Sequence, residues 1–330
     1  KKTAIIEKEN FGGVCLNVGC IPSKALIYGS SQFWKMKNEA EELGITAKSV
    51  ECDLGKMQEW KQGVVKKLTT GVQGLLKANG VEIFKGTASF KDSKTLEVVS
   101  STGKETITAS NFIIATGSRV AQIPTLPFNG KNIVSSTEAL SLTTLPKELV
   151  VIGGGFIGIE IGTVYAKLGS KVTIVEALDQ LLATVDSELV SVVQKKMKHF
   201  GITVHTGAKA LGIKEKEPLK SNKLNLEIET KDKAKQTLSA DVILVSVGRK
   251  PNSDNMGLEK IGIKMDPRGN ILTNNQSLTN ISNIYAIGDV AGSPQLAHRA
   301  TMDGLLAAQN IAGEKSFKDY KTVPWAVFCD

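Results

Sequence analysis

The sequence predicts an α/β protein built on parallel strands with helices between them, and two adjacent observations carry this prediction. An apolar run from Leu149 to Ile152 is followed directly by the glycine pattern G-x-G-x-x-G over residues 153–158. A helical pattern then continues to Gly169, and a second apolar run, Lys171–Val175, ends at Glu176. Strand, glycines, helix, strand and terminal acid at this spacing are typical of a Rossmann dinucleotide-binding unit.

Length and composition agree with an ordinary globular protein. A chain of 330 residues is expected to form about two domains. Its net charge is +8, and its lysines are spread along the chain, with their main cluster between Lys214 and Lys235, a stretch without aromatic residues. Nucleic-acid sites interleave aromatic residues or concentrate arginine, so we expect a solvated surface and no nucleic-acid partner. The most apolar stretch, Leu149 to Ala166, contains glycines and Glu160, so we also expect no membrane span.

The glycine pattern indicates how a dinucleotide would bind. Gly153, Gly155 and Gly158 allow a tight turn and let a pyrophosphate approach the N-terminus of the following helix, where backbone N–H groups favour an anion. Glu176 lies where a carboxylate accepts hydrogen bonds from ribose hydroxyls. A carboxylate would repel a 2′-phosphate, so the sequence predicts NAD rather than NADP. The pattern continues with a helix over 186–200, a strand over 201–205, three short strands and a strand over 241–247.

Cys15 and Cys20 lie five positions apart in the run GGVCLNVGCIPSK, residues 12–24. In a regular helix they would be separated by about 7.5 Å along the axis, beyond easy disulfide reach, so the segment must bend. Pro22 suits the first turn of a helix, which places Cys20 near a helix N-terminus. There the helix dipole favours the reactive thiolate, and Lys24 adds positive charge one turn on. The pattern predicts a redox pair rather than two buried thiols.

The remaining cysteines and the histidines have simpler interpretations. Cys52 and Cys329 have no obvious partners and are expected to be structural thiols. Four cysteines with this spacing form no disulfide framework and no zinc pattern, so we expect no metal site. This usage suits a reducing compartment, and the N-terminus has no signal-peptide pattern, so a cytoplasmic location is expected. His199 and His205 are expected at the surface.

Residues 12–24 resemble the active-site segment of the flavin-dependent pyridine nucleotide-disulfide oxidoreductases. The ending Ile-Pro-Ser-Lys is most similar to the members of that family that oxidise dihydrolipoamide or reduce mercuric ions. Val14 departs from the pattern, since family members commonly carry Thr there. Three further segments resemble the family's FAD-binding parts: the strand Thr3–Glu7, the strand and turn Phe112–Ser118, and the run Ile284–Asp289.

The resemblance implies two Rossmann-like, three-layer dinucleotide-binding domains, with the FAD domain split around an inserted NAD domain. The predicted bounds are 1–142 for the first part of the FAD domain, 143–277 for the NAD domain, 278–316 for the second FAD part and 317–330 for the start of a dimerisation domain. That last segment is expected to hold a strand over Val323–Phe328. The sequence matches neither the family's first glycine motif before the strand Thr3–Glu7 nor its C-terminal catalytic histidine. The chain is therefore expected to be a fragment of a homodimeric protein.

The resemblance also implies residue roles. Cys15 would be the thiol that exchanges with substrate, and Cys20 the thiol beside the flavin. The residues expected to bind FAD or NAD are Glu7, Gly13, Val14, Cys15, Lys24, Gly86, Thr116, Gly117, Ser118, Gly153, Gly155, Gly158, Glu160, Glu176, Ala210, Gly248, Asp289, Gln295, Leu296, Ala297 and His298.

The implied activity is oxidation of dihydrolipoyl groups through the Cys15–Cys20 disulfide and FAD, with NAD as final acceptor. The implied partners are the lipoyl groups of 2-oxoacid dehydrogenase complexes or of the glycine cleavage system. Two alternatives stay open on the sequence alone. One is a mercuric reductase or another reductase of small disulfides, and the other is a FAD- and NAD-binding interaction module with an idle cysteine pair.

Overall fold

A computed structural model describes residues 2–214 and 223–329 of the chain. The lysine-rich stretch between Lys214 and Lys235, predicted as a solvated surface, lies partly outside these described residues. The helices are α1 (Gly13–Val18), α2 (Cys20–Asn38), α3 (Leu54–Ala78), α4 (Ser136–Ala139), α5 (Phe156–Leu168), α6 (Ser187–His199) and α7 (Ala297–Ala312), with short 3-10 turns at Glu41–Leu43 and Gly288–Ala291.

The strands are short and fall between these helices. They are β1 (Ala4–Glu7), β2 (Glu82–Lys85), β3 (Thr87–Asp92), β4 (Thr95–Ser100), β5 (Gly103–Thr108), β6 (Phe112–Ile114), β7 (Ser118–Val120), β8 (Ile133–Val134), β9 (Glu148–Ile152), β10 (Lys171–Val175), β11 (Thr203–His205), β12 (Lys209–Ile213), β13 (Leu224–Glu229), β14 (Lys235–Ala240), β15 (Val242–Val245), β16 (Arg249–Pro251) and β17 (Ile284–Ala286).

The chain divides into two compact units. The first unit comprises Lys1–Cys15, Leu68–Arg119 and Arg249–Trp325, and the second comprises Leu16–Lys67, Val120–Gly248 and Ala326–Asp330. These divisions fall at other positions than the predicted domain bounds at 142/143 and 277/278. Compact units defined by contacts and domains defined by cofactor need not coincide, so the predicted domain bounds stay a prediction.

The second unit contains a five-stranded parallel sheet in the order β11-β10-β9-β15-β8. The central strands β9 and β15 are almost entirely buried, as expected for a parallel sheet covered on both faces. The predicted strands at 149–152 and 171–175 are confirmed as β9 and β10. The three short strands predicted next are confirmed as the antiparallel sheet β12-β13-β14.

Local sequence explains where the helices of this unit begin and end. Gly155 is the N-cap of α5, and Gly169 ends it in the left-handed conformation with φ +110°. Most of α5 is buried, which matches a helix that is apolar on nearly every side. The Asp186 side chain accepts a hydrogen bond from the Glu188 N–H and caps α6. The predicted helix over 186–200 is thereby confirmed at Ser187–His199.

The first unit contains two parallel strand pairs, β1 with β2 and β6 with β17, and the antiparallel sheet β3-β4-β5. Its core packs Phe90 against Phe112, whose ring centroids are 5.3 Å apart, together with Ile114 and Ile284. The strands predicted to end at Glu7 and before Asp289 are both present.

One predicted strand is absent. Residues 323–328 form no strand in the part of the chain that the structure describes, although Val323, Trp325 and Val327, residue types common in strands, stand at alternate positions. The prediction of a strand at Val323–Phe328 was wrong because a strand requires a neighbouring strand to share its backbone hydrogen bonds, and none of the described strands pairs with this segment. Among the described residues, no helix has the length and apolarity needed to cross a bilayer.

Candidate active site

Cys15 and Cys20 are joined by a disulfide bond. Cys15 lies within α1 and Cys20 is the first residue of α2. Gly19 between them has φ −135° and ψ −110°, which interrupts the helical path. The predicted bend is therefore confirmed, and it is what brings two cysteines five positions apart within bonding distance.

The first turn of α2 is closed by hydrogen bonds around Cys20. The Ser23 N–H donates to the Gly19 carbonyl at 3.0 Å, and Ser23 Oγ donates to the Cys20 carbonyl at 3.0 Å. Pro22 is buried in this turn. Cys20 thus lies at the positive end of a helix that runs for 19 residues, where a thiolate is stabilised.

Lys24 and Glu160, both predicted to contact a cofactor, form an ion pair between α2 and α5. Lys24 Nζ lies 2.7 Å from Glu160 Oε2, and the Glu160 side chain is only 4% exposed. The other carboxylate oxygen, Oε1, accepts the Phe328 N–H at 3.1 Å. Lys24 Nζ also lies 4.7 Å from the centre of the Phe328 ring. The cation predicted near Cys20 is therefore held in a fixed place by a buried carboxylate.

The glycine loop between β9 and α5 leaves no room for a side chain at Gly153 or Gly158. A Cβ added to Gly158 would lie 2.2 Å from the Gly153 carbonyl oxygen and 2.7 Å from Ser246 Oγ. A Cβ on Gly153, whose φ is +103°, would lie 2.6 Å from the Ser246 carbonyl oxygen. Gly155 caps the helix without a side chain, which keeps the helix N-terminus open to a phosphate. This cradle fits the pyrophosphate of a dinucleotide.

Glu176 directly follows β10 and contacts this loop. Its Oε2 accepts the Gly154 N–H at 2.6 Å, and its Oε1 accepts the Leu178 N–H at 2.8 Å. The carboxylate is held beside the cradle, where a ribose attached to the pyrophosphate would reach it. Ala210 lies half-buried in β12, and Gly248 follows β15 with φ +113°. All of these residues belong to the second unit.

In the first unit, Asp289 follows β17 and receives a hydrogen bond from Ser118. Ser118 Oγ donates to Asp289 Oδ2 at 2.5 Å. Arg249 donates to Ser118 twice, from Nε to Oγ and from Nη2 to the carbonyl oxygen, each at 2.7 Å. Burial lowers the pKa of Arg249, an effect that the charge of Asp289 opposes. A carboxylate held by a serine and an arginine suits the hydroxyl-rich ribityl chain of FAD.

Arg249 was not among the predicted site residues. Its signal in the sequence was the run Gly248-Arg249-Lys250-Pro251-Asn252, which resembles the family's G-R-x-P-N turn. In the structure this turn also reaches the predicted residue Thr116, whose Oγ1 donates to the Asn252 carbonyl at 2.6 Å. Asn252 Nδ2 in turn donates to the Thr116 carbonyl at 2.9 Å.

The other residues expected to bind FAD lie in several different elements of the chain. Glu7 ends β1, where its carbonyl accepts the Gly86 N–H at 3.1 Å. Gly117 has φ +68° and open space where a Cβ would point.

The remaining residues expected to bind FAD lie at the starts of two helices. Gln295 and Leu296 are half-buried just before α7, while Ala297 and His298 are exposed in its first turn. Gly13, with φ +71°, and Val14 lie exposed at the start of α1. The cofactor roles of these residues stay predictions.

The fold and the disulfide together define a nucleotide-dependent disulfide oxidoreductase. The chain belongs to the pyridine nucleotide-disulphide oxidoreductase family, whose profile matches residues 1–304. It is 49% identical to the dihydrolipoyl dehydrogenase of Geobacillus stearothermophilus and 44% identical to that of Bacillus subtilis. Each alignment covers 100% of this chain and 69% of the relative.

Solved structures show the same fold. LpdA from Mycobacterium tuberculosis matches 99% of this chain with a TM-score of 0.89 at 24% identity, and 70% of LpdA is covered. The HOCl-induced flavoprotein disulfide reductase RclA from Escherichia coli matches the whole chain with a TM-score of 0.83 at 27% identity, with 70% of RclA covered.

These similarities confirm the predicted family, the α/β dinucleotide-binding fold, and FAD and NAD as cofactors. They favour the dihydrolipoyl dehydrogenase interpretation over a mercuric reductase and over an interaction module. No group of three or more potential metal ligands occurs within residues 2–214 and 223–329.

Proposed function

We propose that this chain oxidises dihydrolipoyl groups and passes their electrons to NAD. The observation that carries the proposal is the Cys15–Cys20 disulfide at the N-terminus of α2. Relatives that are 44–49% identical over the full chain and are named dihydrolipoyl dehydrogenase support this substrate class.

The cysteine pair can carry out the dithiol oxidation by thiol–disulfide exchange. One thiolate of the substrate attacks Cys15 Sγ, the protein disulfide breaks, and Cys20 leaves as a thiolate. The second substrate thiol, losing its proton, then attacks the substrate sulfur in this mixed disulfide. Cys15 is released and the cyclic lipoyl disulfide forms. Two electrons have passed to the cysteine pair, and the two protons of the substrate thiols have left the substrate.

The chain's residues favour Cys20 as the leaving thiol. A lower pKa makes a thiol a better leaving group, and the N-terminus of α2 stabilises the Cys20 thiolate. Bound FAD would supply the redox chemistry that connects the cysteine pair to NAD. Asp289, with Ser118 and Arg249, would hold the ribityl chain, and Glu7 would hold the adenosine ribose. The loop over 153–158 and Glu176 would hold NAD.

The proposal extends to partners and location. The dihydrolipoyl groups would be those of 2-oxoacid dehydrogenase complexes or of the glycine cleavage system. The protein would work as a homodimer, as the resemblance to its family implies. A reducing, cytoplasmic compartment suits this use of a disulfide, because disulfides that persist there are usually catalytic.

A substrate comparison tests the proposed function. The purified full-length protein with bound flavin is given dihydrolipoamide and NAD, and separately glutathione disulfide or mercuric ion with NADH. We expect NADH formation from dihydrolipoamide at a rate far above NADH consumption with either alternative acceptor. Rapid NADH-dependent reduction of mercuric ion, without dihydrolipoamide oxidation, would contradict the proposal.

A further inference from the structure

The turn that carries Asp289 is shaped by its backbone. Gly288 has φ +66°, and a Cβ there would lie 2.9 Å from Ala300 Cβ of α7. Residues Gly288–Ala291 form a 3-10 turn, which Gly292 ends with φ +99°. Asp289 directly follows Gly288 in this turn, so whatever fixes the Gly288 peptide also fixes the backbone position from which the Asp289 carboxylate reaches Ser118.

Arg299 holds this turn from the first turn of α7. It is buried, with 3% of its surface exposed. Its Nη1 donates to the carbonyl oxygens of Gly292 at 2.6 Å, Pro294 at 3.2 Å and Gly288 at 3.3 Å. One buried cation therefore binds both ends of the segment that contains Asp289.

Asp303 completes the attachment from the next turn of α7. Its side chain is 1% exposed, and its Oδ2 lies 3.1 Å from Arg299 Nε. The same oxygen accepts the Gly288 N–H at 3.2 Å. Gly288 is thus held at its N–H by Asp303 and at its carbonyl by Arg299. Both members of a buried ion pair bind the residue that directly precedes Asp289.

Tyr320 joins this ion pair from the segment beyond α7. Its hydroxyl donates to Asp303 Oδ1 at 2.5 Å and accepts from Arg299 Nε at 3.1 Å. Burial raises the pKa of Tyr320, as does its hydrogen bond to Asp303, so the phenol keeps its proton and remains a donor. The neighbouring Lys318 anchors the segment, because its N–H donates to the Asn275 carbonyl at 2.7 Å and its Nζ donates to Thr273 Oγ1 at 2.9 Å.

We propose that Arg299, Asp303 and Tyr320 are positioning residues that set the Asp289 carboxylate for the flavin. The inference rests on the proposed role of Asp289 in FAD binding. Tyr320 makes the cluster sensitive to the segment that follows α7, which forms no strand or helix over residues 313–329. Loss of the Tyr320 hydroxyl would leave Asp303 Oδ1 without this donor, loosen the Gly288 peptide and weaken FAD binding through Asp289.

A double-mutant cycle tests this coupling. The dissociation constant of FAD is measured by quenching of flavin fluorescence on binding to the full-length apoprotein, for the wild type, Tyr320→Phe, Asp289→Asn and the double variant. We expect Tyr320→Phe to raise the dissociation constant at least about 10-fold, because Asp303 loses a hydrogen-bond donor that helps to hold the Gly288 peptide. In the Asp289→Asn background the same change should raise it less than about 2-fold.

Two controls separate positioning from general packing. Tyr28→Phe removes the hydroxyl of a tyrosine that is 60% exposed and should leave FAD affinity unchanged. Asp303→Asn keeps an oxygen for the Gly288 N–H but removes the charge that pairs with Arg299. Like Tyr320→Phe, it should raise the FAD dissociation constant in the wild-type background and have much less effect in the Asp289→Asn background. NAD affinity and the apoprotein melting temperature are recorded for each variant.

The outcomes are distinguishable. If Asp289→Asn weakens FAD binding but the effect of Tyr320→Phe is the same in both backgrounds, or absent, the positioning inference is wrong and the proposed function stands. If Asp289→Asn leaves FAD affinity unchanged, Asp289 does not hold the flavin. In that case both the residue's proposed role and the inference are wrong.

Discussion

Lys24 Nζ lies 2.7 Å from Glu160 Oε2, although the two residues are 136 positions apart in the chain. The contact joins the helix that begins at Cys20 to the helix that begins at the glycine loop. Both oxygens of the buried Glu160 carboxylate have donors, one from Lys24 and one from the Phe328 backbone. A single side chain therefore links the disulfide helix to the helix of the NAD cradle.

Replacing Lys24 by Met should destabilise the protein because it leaves Glu160 buried with its charge unpaired. Breaking a buried ion pair costs about 3–5 kcal/mol, and since Lys24 is 36% exposed we expect a loss near the lower end. Urea unfolding monitored by fluorescence measures the change. Lys171→Met is the control, because Lys171 is 73% exposed and lies 3.9 Å from Glu148. An equal loss in both variants would contradict a special role for the Lys24 pair.

Cys15→Ser and Cys20→Ser should each abolish dihydrolipoamide oxidation and leave flavin binding intact. Each removes one of the two sulfurs that exchange requires. Cys52→Ser is the matched control, because burial and then the nearby charge of Asp53 raise the pKa of Cys52, which keeps it an unreactive thiol. It should retain activity.

The same two variants show which of the two cysteines lies beside the flavin. With Cys15 replaced, the Cys20 thiolate should still give a long-wavelength absorption band with FAD, because Cys20 is predicted to lie beside the flavin. Survival of that band only in the Cys20→Ser protein would reverse the two assigned roles.

Glu176→Gln should narrow the preference for NAD over NADP. The amide keeps the size of the side chain but removes the charge that repels a 2′-phosphate. Two charges about 4 Å apart near a protein surface interact by about 4 kcal/mol, so a change of at least roughly 10-fold in the ratio of kcat/KM values is expected. Asp179→Asn removes a neighbouring acid that pairs with Lys231 and should leave the ratio unchanged. A wild type that already prefers NADPH would refute the role of Glu176.

Gly158→Ala should disrupt the NAD cradle, because the added Cβ would lie 2.2 Å from the Gly153 carbonyl oxygen. Overpacking of this kind costs about 1–3 kcal/mol. Titration calorimetry should show weaker NAD binding, while the flavin absorbance per protein stays the same. Gly162→Ala on the same helix is the control, since its Cβ would make ordinary contacts at 3.5–3.6 Å. If both variants bind NAD like the wild type, the loop does not hold the pyrophosphate.

Local patterns in the sequence predicted the local parts of the site. The strand expected at 149–152 is β9, Glu148–Ile152, and the strand at 171–175 is β10. These succeeded because a buried parallel strand between a glycine turn and a helix leaves a continuous apolar run. The bend between Cys15 and Cys20 was equally predictable, since covalent geometry alone excludes a straight helix there.

Contacts between distant segments could not be predicted in the same way. The pairs Lys24–Glu160 and Arg249–Ser118 depend on how helices and strands pack, and no periodicity in the chain encodes their partners. Arg299, Asp303 and Tyr320 escaped prediction for the same reason. The prediction of a strand at Val323–Phe328 was wrong for a related reason. The local sequence favoured a strand, but a strand forms only where a second strand is available to pair with it.

The hydrogen bond from Ser118 to Asp289 spans 171 residues and lies in a unit assembled from three separate stretches of the chain. During synthesis Ser118 emerges well before Arg249 and Asp289. The last strand of the second unit's parallel sheet ends at Val245, so this sheet can fold before the segment Arg249–Trp325 of the first unit has been synthesised. The Ser118–Asp289 contact, which closes a loop of this length, is therefore expected to form after the parallel sheet of the second unit.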